Sequence, residues 1–301
     1  MGSDGNTRQV RHVRLGDHLC LPFASDDEQR EVLTAYISDG LDRGERVLYL
    51  ADQTAPEAIG GWLSVRGVDF ARVIERGQLQ IRNVSSEPLV ANRFDPDIVI
   101  TLIRFEVLQA RQAGYQGLRL TGEMSWALRD ASQLPGVNGK RLREFESSVT
   151  AAFDTAELVA VCQYDERLFD PMEVTGLVAC HQKVVQIDPL HDDRRLRIVP
   201  SFRPRGLHVS GVVDNTTSPA LAEALDRALR WPDRDITLDL SGLNFIDVAG
   251  VRTIVRAAAA LAHPRRLQVV GLAPTLRKVI GIIGWDKTPG LQLDEEEVEP
   301  T

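Results

Sequence analysis

Asp239-Leu-Ser-Gly-Leu-Asn-Phe-Ile-Asp247-Val-Ala-Gly250 takes the chain from the end of a strand into a helix. The run before it, Asp235-Ile-Thr-Leu-Asp-Leu240, is apolar enough to be a buried strand, and Gly250 to Ala262 carries a helical pattern. Between them, Asp247 suits the N-cap position, where its carboxylate accepts a backbone N–H of the first turn. A helix start offers unpaired N–H groups and partial positive charge, so it is a docking point for a polar partner surface. Val248 and Ala249 have no hydroxyl, and no phosphate ester can form on them. Ser241 follows the strand as a turn cap.

Working outward, Leu196–Phe202 and Gly206–Val213 read as two hairpin-related strands. A helix over Pro219–Trp231 follows the caps Asn215-Thr-Thr-Ser218. A strand at Arg266–Gly271, a helix at Pro274–Trp285 and a strand at Gly290–Leu293 complete a smaller α/β domain, residues 196–293. Residues 294–301 read as an acidic, frayed tail. Proline and charge in Gln186–Arg195 mark residues 186–195 as a linker.

Upstream, strands and helices alternate. His18-Leu-Cys-Leu-Pro-Phe23 reads as a strand, and Ser25 with Glu28 forms a capping box for the helix that follows. That helix carries Val32, Leu33, Tyr36, Ile37 and Leu41 on one face. Strands are expected at Arg46–Leu50, Leu79–Arg82, Leu118–Thr121 and Leu158–Tyr164. Helices are expected at Ala58–Val65, Asp97–Ala113, Gly139–Phe153 and Pro171–Val184. Such alternation implies a doubly wound, mainly parallel sheet with right-handed crossovers, spanning residues 11–185. Residues 1–10 are polar, lack the apolar core of a secretory signal and read as a flexible leader.

Composition excludes several classes of partner. Of 301 residues, 43% are hydrophobic and 26% charged, the balance of a globular chain. The net charge of −8, with no long Lys/Arg run, argues against nucleic acid or an anionic membrane as partner. No stretch approaches the roughly 18 apolar residues of a membrane span. Three cysteines (Cys20, Cys162, Cys180) match neither a disulfide framework nor a zinc knuckle, so the chain reads as cytoplasmic and reduced.

The segment Asp239–Gly250 and the element order around it resemble the STAS domain, the family of sulphate-transporter tails and anti-sigma factor antagonists. In antagonists the loop reads Asp-Ser-Ser-Gly or Asp-Ser-Thr-Gly, and a partner kinase that is also the anti-sigma factor phosphorylates its third residue. The resemblance places Ala249 at that position and assigns partner contact to Asp247, Val248, Ala249 and Gly250. Upstream, Gly16-Asp-His-Leu-Cys20, Gly122-Glu-Met-Ser-Trp126, Cys162-Gln-Tyr-Asp165 and a helix carrying His181 resemble the MEDS family, sensory domains related to the RecA-like ATPase core. It implies a degenerate RecA-like fold and a ligand-sensing role.

In an open parallel sheet, ligands sit at the carboxyl ends of strands. His18, Cys20, Phe23, Glu123, Trp126, Tyr164 and His181 are therefore expected around one crevice, with His18 and Cys20 on one of its walls. Glu123 is the leading functional group there, a carboxylate beside Met124 and Trp126 that needs a ligand, a water or Arg119 as partner. Trp126 would suit an apolar or aromatic ligand. A phosphate-binding loop needs Gly-x-x-x-x-Gly-Lys-Ser/Thr, whereas Pro22-Phe-Ala-Ser-Asp-Asp-Glu offers acids and neither Gly nor Lys. His18, Cys20, Glu123 and His181 are acceptable zinc ligands, but no spacing forces them together, so no metal is assigned and the cofactor is unknown. The sequence thus reads as a non-enzymatic regulator that senses a small molecule and binds an anti-sigma factor or related kinase-like protein, with a homodimer left open. The rival is a metal- or nucleotide-dependent enzyme with the second domain as an oligomerising tail.

Overall fold

Runs such as Arg46–Ala51 and Leu158–Asp165 are apolar on both sides of the chain, as strands covered on both faces require. In the computed structural model, which describes residues 6–86, 94–129, 139–231 and 235–294, these runs are central strands. The chain divides into two units, Met1–Ile187 and Asp188–Thr301.

The first unit is built on a seven-stranded parallel sheet. Its strands are β1 (Thr7–Gln9), β2 (His18–Phe23), β3 (Arg46–Ala51), β4 (Leu79–Asn83), β5 (Leu118–Glu123), β6 (Leu158–Asp165) and β7 (Lys183–Gln186), in the order β1-β7-β2-β6-β5-β3-β4. Helices α1 (Asp26–Asp42) and α2 (Pro56–Val65) supply Leu33, Ile37, Ile59 and Leu63 to the core on one face. A short α3 (Phe70–Glu75) precedes β4. Helices α4 (Pro96–Gln112), α5 (Gly139–Val149) and α6 (Pro171–Val178) supply Val99, Phe145 and Leu177 to the other face.

Local chemistry sets the boundaries. Ser25 Oγ accepts the Glu28 N–H (3.2 Å), and the Glu28 carboxylate reaches back to the Ala24 N–H (3.0 Å), so the capping box forms one residue early on its return arm. Within α1, Gly40 leaves room for Arg119, whose guanidinium lies over Tyr36 and binds Glu45, Asp39 (3.1 Å) and the Tyr36 carbonyl (3.0 Å). A methyl at Gly40 would stand 2.3 Å from Arg119 Cδ.

Three sequence expectations are corrected. Residues 7–9, read as part of a leader, form β1, because Thr7, Arg8 and Gln9 pair with Val184, Val185 and Gln186; residues 1–5 lie outside the described residues. The helix expected over Pro171–Val184 stops at Val178, since Lys183 and Val184 are drawn into the sheet beside Leu19 and Cys20. The linker read at 186–195 is partly strand, because Gln186 closes β7 and β8 (His191–Asp192) pairs with the next strand.

In the second unit the sheet order is β13-β12-β11-β10-β9-β8, from β9 (Leu196–Phe202), β10 (Arg205–Val213), β11 (Ile236–Ile246), β12 (Leu267–Val270) and β13 (Leu291–Leu293). Helices α7 (Ser218–Leu229), α8 (Val248–Ala259) and α9 (Pro274–Ile283) share one core with it, built on residues such as Leu225, Ile254 and Ile280. Strand β11 runs past the expected stop at Leu240 to Ile246, kept beside β10 through two register shifts. Most of the acidic tail, residues 295–301, is outside the described residues. No helix among the described residues is long and apolar enough to cross a membrane.

Candidate functional site

The residues expected around one crevice fall on two faces of the first sheet. His18, Cys20 and Tyr164 belong to the face under α5 and α6, whereas Phe23 and Glu123 point to the side of α1 and α2. Adjacent strands of matched register keep alternate residues on one side throughout, so a site at the sheet takes residues from one side at a time.

On the α5 face four side chains meet. His18 Nε2 lies 3.3 Å from Glu146 Oε2, and His181 Nε2 lies 3.5 Å from the same oxygen. Cys162 Sγ is 3.7 Å from both His18 Nε2 and Glu146 Oε2. Each partner is positioned by a different element: His18 by β2, Cys162 by β6, Glu146 by α5, and His181 by the turn after α6. Tyr164 donates its hydroxyl to Glu146 Oε1 (2.7 Å), and the His18 ring stacks on Phe153 with centroids 4.6 Å apart. Burial alone would raise the Glu146 carboxyl, but the facing imidazoles of His18 and His181 hold it below its usual range. Burial pushes the His181 imidazole down and the Cys162 thiol well up. Cys20 sits beside this group without joining it, its thiol 3.9 Å from the Lys183 carbonyl and pushed up to about 12 by burial.

A cavity of about 80 Å³ adjoins the cluster. Phe94, Trp126, Phe145 and Phe153 give it aromatic walls, and His18, Glu146 and Cys162 border it. Its surface suits a small apolar or aromatic molecule.

Glu123 has a different task from the one its sequence suggests. Its Oε1 accepts the Tyr49 hydroxyl (2.8 Å), and its Oε2 accepts the backbone N–H groups of Asp52 (2.9 Å), Gln53 and Thr54 (3.0 Å). The carboxylate therefore clasps the turn between β3 and α2, with the chain itself as its partner. Burial and the Glu123 charge keep the Tyr49 phenol well above its usual value, so it stays a donor. Arg119 is not the partner, because four residues of strand, about 13 Å, separate the two. An open polar crevice of about 390 Å³ lies beside the clasp, with Phe23, Gln29, Thr54, Asp165 and Arg167 on its walls.

In the second unit Asp247 caps α8, its carboxylate accepting the Gly250 N–H at 2.8 Å. Val248 and Ala249 are exposed at the helix start, and Phe245 stands exposed just before them. Gly250 is buried, and a Cβ there would meet Val213 and Ile246 at 2.6 and 2.8 Å. Gly250, expected at a partner contact, thus lies beneath the helix start, where close packing explains the glycine, and Val248 and Ala249 are the exposed residues beside it.

Sequence reasoning passed over Glu146 and Cys162 as site residues. A signal for the first was present, since Glu146 falls among Leu142, Phe145 and Val149 on the buried stripe of α5, where an unpaired carboxylate is costly. Cys162 stands two residues before Tyr164 on one strand, and so on its face.

Compared with known families, residues 17–182 match the model described as MEthanogen/methylotroph, DcmR Sensory domain, abbreviated MEDS. Residues 200–293 match a model described as Mlab, STAS domain. Among solved structures, the crystal structure of an anti-sigma factor antagonist from Mycobacterium paratuberculosis is 25% identical, with 32% of this chain and 85% of that chain covered and a TM-score of 0.30. No curated protein matches the chain.

Proposed function

Because the chain belongs to the MEDS family of sensory domains and carries a STAS domain after it, we propose that it is a partner-switching regulator whose first unit binds a small apolar molecule. In this reading residues 11–185 sense the molecule, and residues 196–293 dock on an anti-sigma factor or related kinase-like protein. Asp247, Val248 and Ala249 form the centre of that contact. The chain acts by binding and not by catalysis.

The observation that carries the reading is the surface at the start of α8. Val248 is 55% exposed and Phe245 54%, side by side with a capped helix terminus, and apolar side chains of this size gain from cover by a partner. Since Val248 and Ala249 lack hydroxyls, the docked state is not set by a phosphate at this point. Regulation then comes from the first unit, through differential affinity of the sensed molecule for the docked and free states.

The test is titration calorimetry of the full chain against the kinase-like anti-sigma factors of its host. Val248→Glu should weaken binding at least tenfold, about 1.4 kcal/mol, by placing a charge in the contact. Absence of binding to all of them at micromolar concentration, or a complex indifferent to Val248→Glu, overturns the reading.

A further inference from the structure

The geometry points to a site for one divalent metal ion of the zinc class, held by His18 Nε2, Glu146 Oε2, Cys162 Sγ and His181 Nε2. All four ligand atoms lie within 4.8 Å of one another.

Hydrogen bonding behind the cluster sets which ring atoms face it. His181 Nδ1 lies 2.8 Å from the Leu177 carbonyl, which can only accept, so Nδ1 carries a proton. In the neutral ring Nε2 then presents a lone pair, and it is buried with no hydrogen-bond partner. Thr150 Oγ1 donates to the Glu146 carbonyl (3.2 Å), so its contact with His18 Nδ1 (3.2 Å) is accepted from the ring. His18 Nε2 therefore also presents a lone pair in its neutral form. A backbone carbonyl and a hydroxyl orienting two imidazoles from behind is the outer-shell arrangement of metal-ligating histidines. Glu146 Oε1 is already taken by Tyr164, which leaves Oε2 free to face the same point.

Four electron-pair donors thus converge with a single thiol proton among them, and something positive must lie between. Spacing favours a metal. Tetrahedral bonds of about 2.0–2.3 Å place ligand atoms roughly 3.3–3.6 Å apart. Four of the six separations here, 3.3, 3.5, 3.7 and 3.7 Å, lie within a few tenths of an ångström of that range. The other two, from His181 Nε2 to His18 Nε2 and to Cys162 Sγ, are within 4.8 Å and close by a rotation of the His181 ring towards the ion. Charge favours one too. A divalent ion with one carboxylate and one thiolate is neutral, which suits a pocket walled by Phe153 and its aromatic neighbours. On binding, the Cys162 thiol gives its proton to solvent and the sulfur bonds the metal; no electron is transferred. The mixed sulfur and nitrogen set selects zinc or cobalt(II) over magnesium or calcium.

The competing occupant is a proton on one imidazole, and cobalt(II) separates the two. Full-length protein, stripped with chelator and titrated with cobalt(II), should take up about one ion per chain with a thiolate-to-cobalt charge-transfer band and tetrahedral visible bands. Cys162→Ser should abolish the charge-transfer band, and His181→Gln should lower uptake. Thr150→Val, which touches no metal, should weaken affinity about 10- to 100-fold while far-UV circular dichroism stays unchanged. The inference is overturned if folded wild-type protein takes up no more cobalt than a Cys162→Ser/His181→Gln double variant, or if Cys162→Ser leaves the spectrum intact. Neither result bears on docking by the second unit, which has its own titration.

Discussion

Removing the Glu123 carboxylate tests whether this acid holds the chain or waits for a ligand. In Glu123→Ala the N–H groups of Asp52, Gln53 and Thr54 and the Tyr49 hydroxyl lose their acceptor together. A hydrogen bond to a charged group contributes about 1.5–3 kcal/mol, so local opening of the β3–α2 turn should become roughly 10- to 150-fold easier. Gln53 and Thr54 border an open crevice, where their amides can be rehydrated, which keeps the effect local instead of unfolding the sheet. Hydrogen exchange read by mass spectrometry over the peptide covering residues 49–56 should show that acceleration, while peptides of β6 keep their wild-type rates. Glu123→Gln retains a neutral acceptor and should fall between. If Glu123→Ala leaves exchange of residues 52–54 unchanged, the clasp is refuted and the carboxylate returns as a group available to a ligand.

Two further outcomes follow from packing and charge. Gly40→Ala would push a methyl into Arg119 Cδ and drive the guanidinium from Glu45 and Asp39; breaking a buried pair costs about 3–5 kcal/mol, and at 2–4 °C per kcal/mol the first unit should melt about 6–20 °C lower in calorimetry. An unshifted transition would mean that α1 yields without cost. The Asp193 carboxyl is lowered to about 2 by the Leu196 and Arg195 N–H groups, with His191 adding to the effect. A folded-state value below the unfolded one means this turn is stabilised at neutral pH and loses that support as the pH falls from about 4 towards 2. Carbon-detected NMR should place the Asp193 titration near pH 2, and a midpoint at the ordinary carboxylate value would refute the bonding.

Much of the fold was legible because its signals are local. Apolar runs such as Val47–Leu50 gave the central strands, and Ser25 and Asp247 announced their helices through side-chain chemistry that needs only the next turn. The misreadings share one cause, that edge pairing is non-local. Thr7-Arg8-Gln9 has no apolar pattern and is a strand only because β7 lies beside it. Val184 reads as a continuing helix until the open edge of β2 claims it. Ser241-Gly-Leu-Asn has the composition of a turn, yet β10 holds it in the sheet through two shifts of register.

The site was half legible for a related reason. His18 and His181 could be chosen by residue type, but the acid and thiol that join them depend on register. Pairs such as His18 with Ala160, Leu120 with Ala160 and Leu48 with Leu120 match even numbers with even numbers across β2, β6, β5 and β3. Every even-numbered strand residue there faces α4, α5 and α6, and every odd one faces α1 and α2. That parity divides the expected crevice, with His18, Cys20 and Tyr164 on one side and Phe23 and Glu123 on the other. A shift of one residue between β5 and β6 would have reversed the outcome and turned Glu123 towards His18. With the register as it stands, the carboxylate that reaches His18 must come from a helix above the sheet, and Glu146 is the acid that α5 buries there.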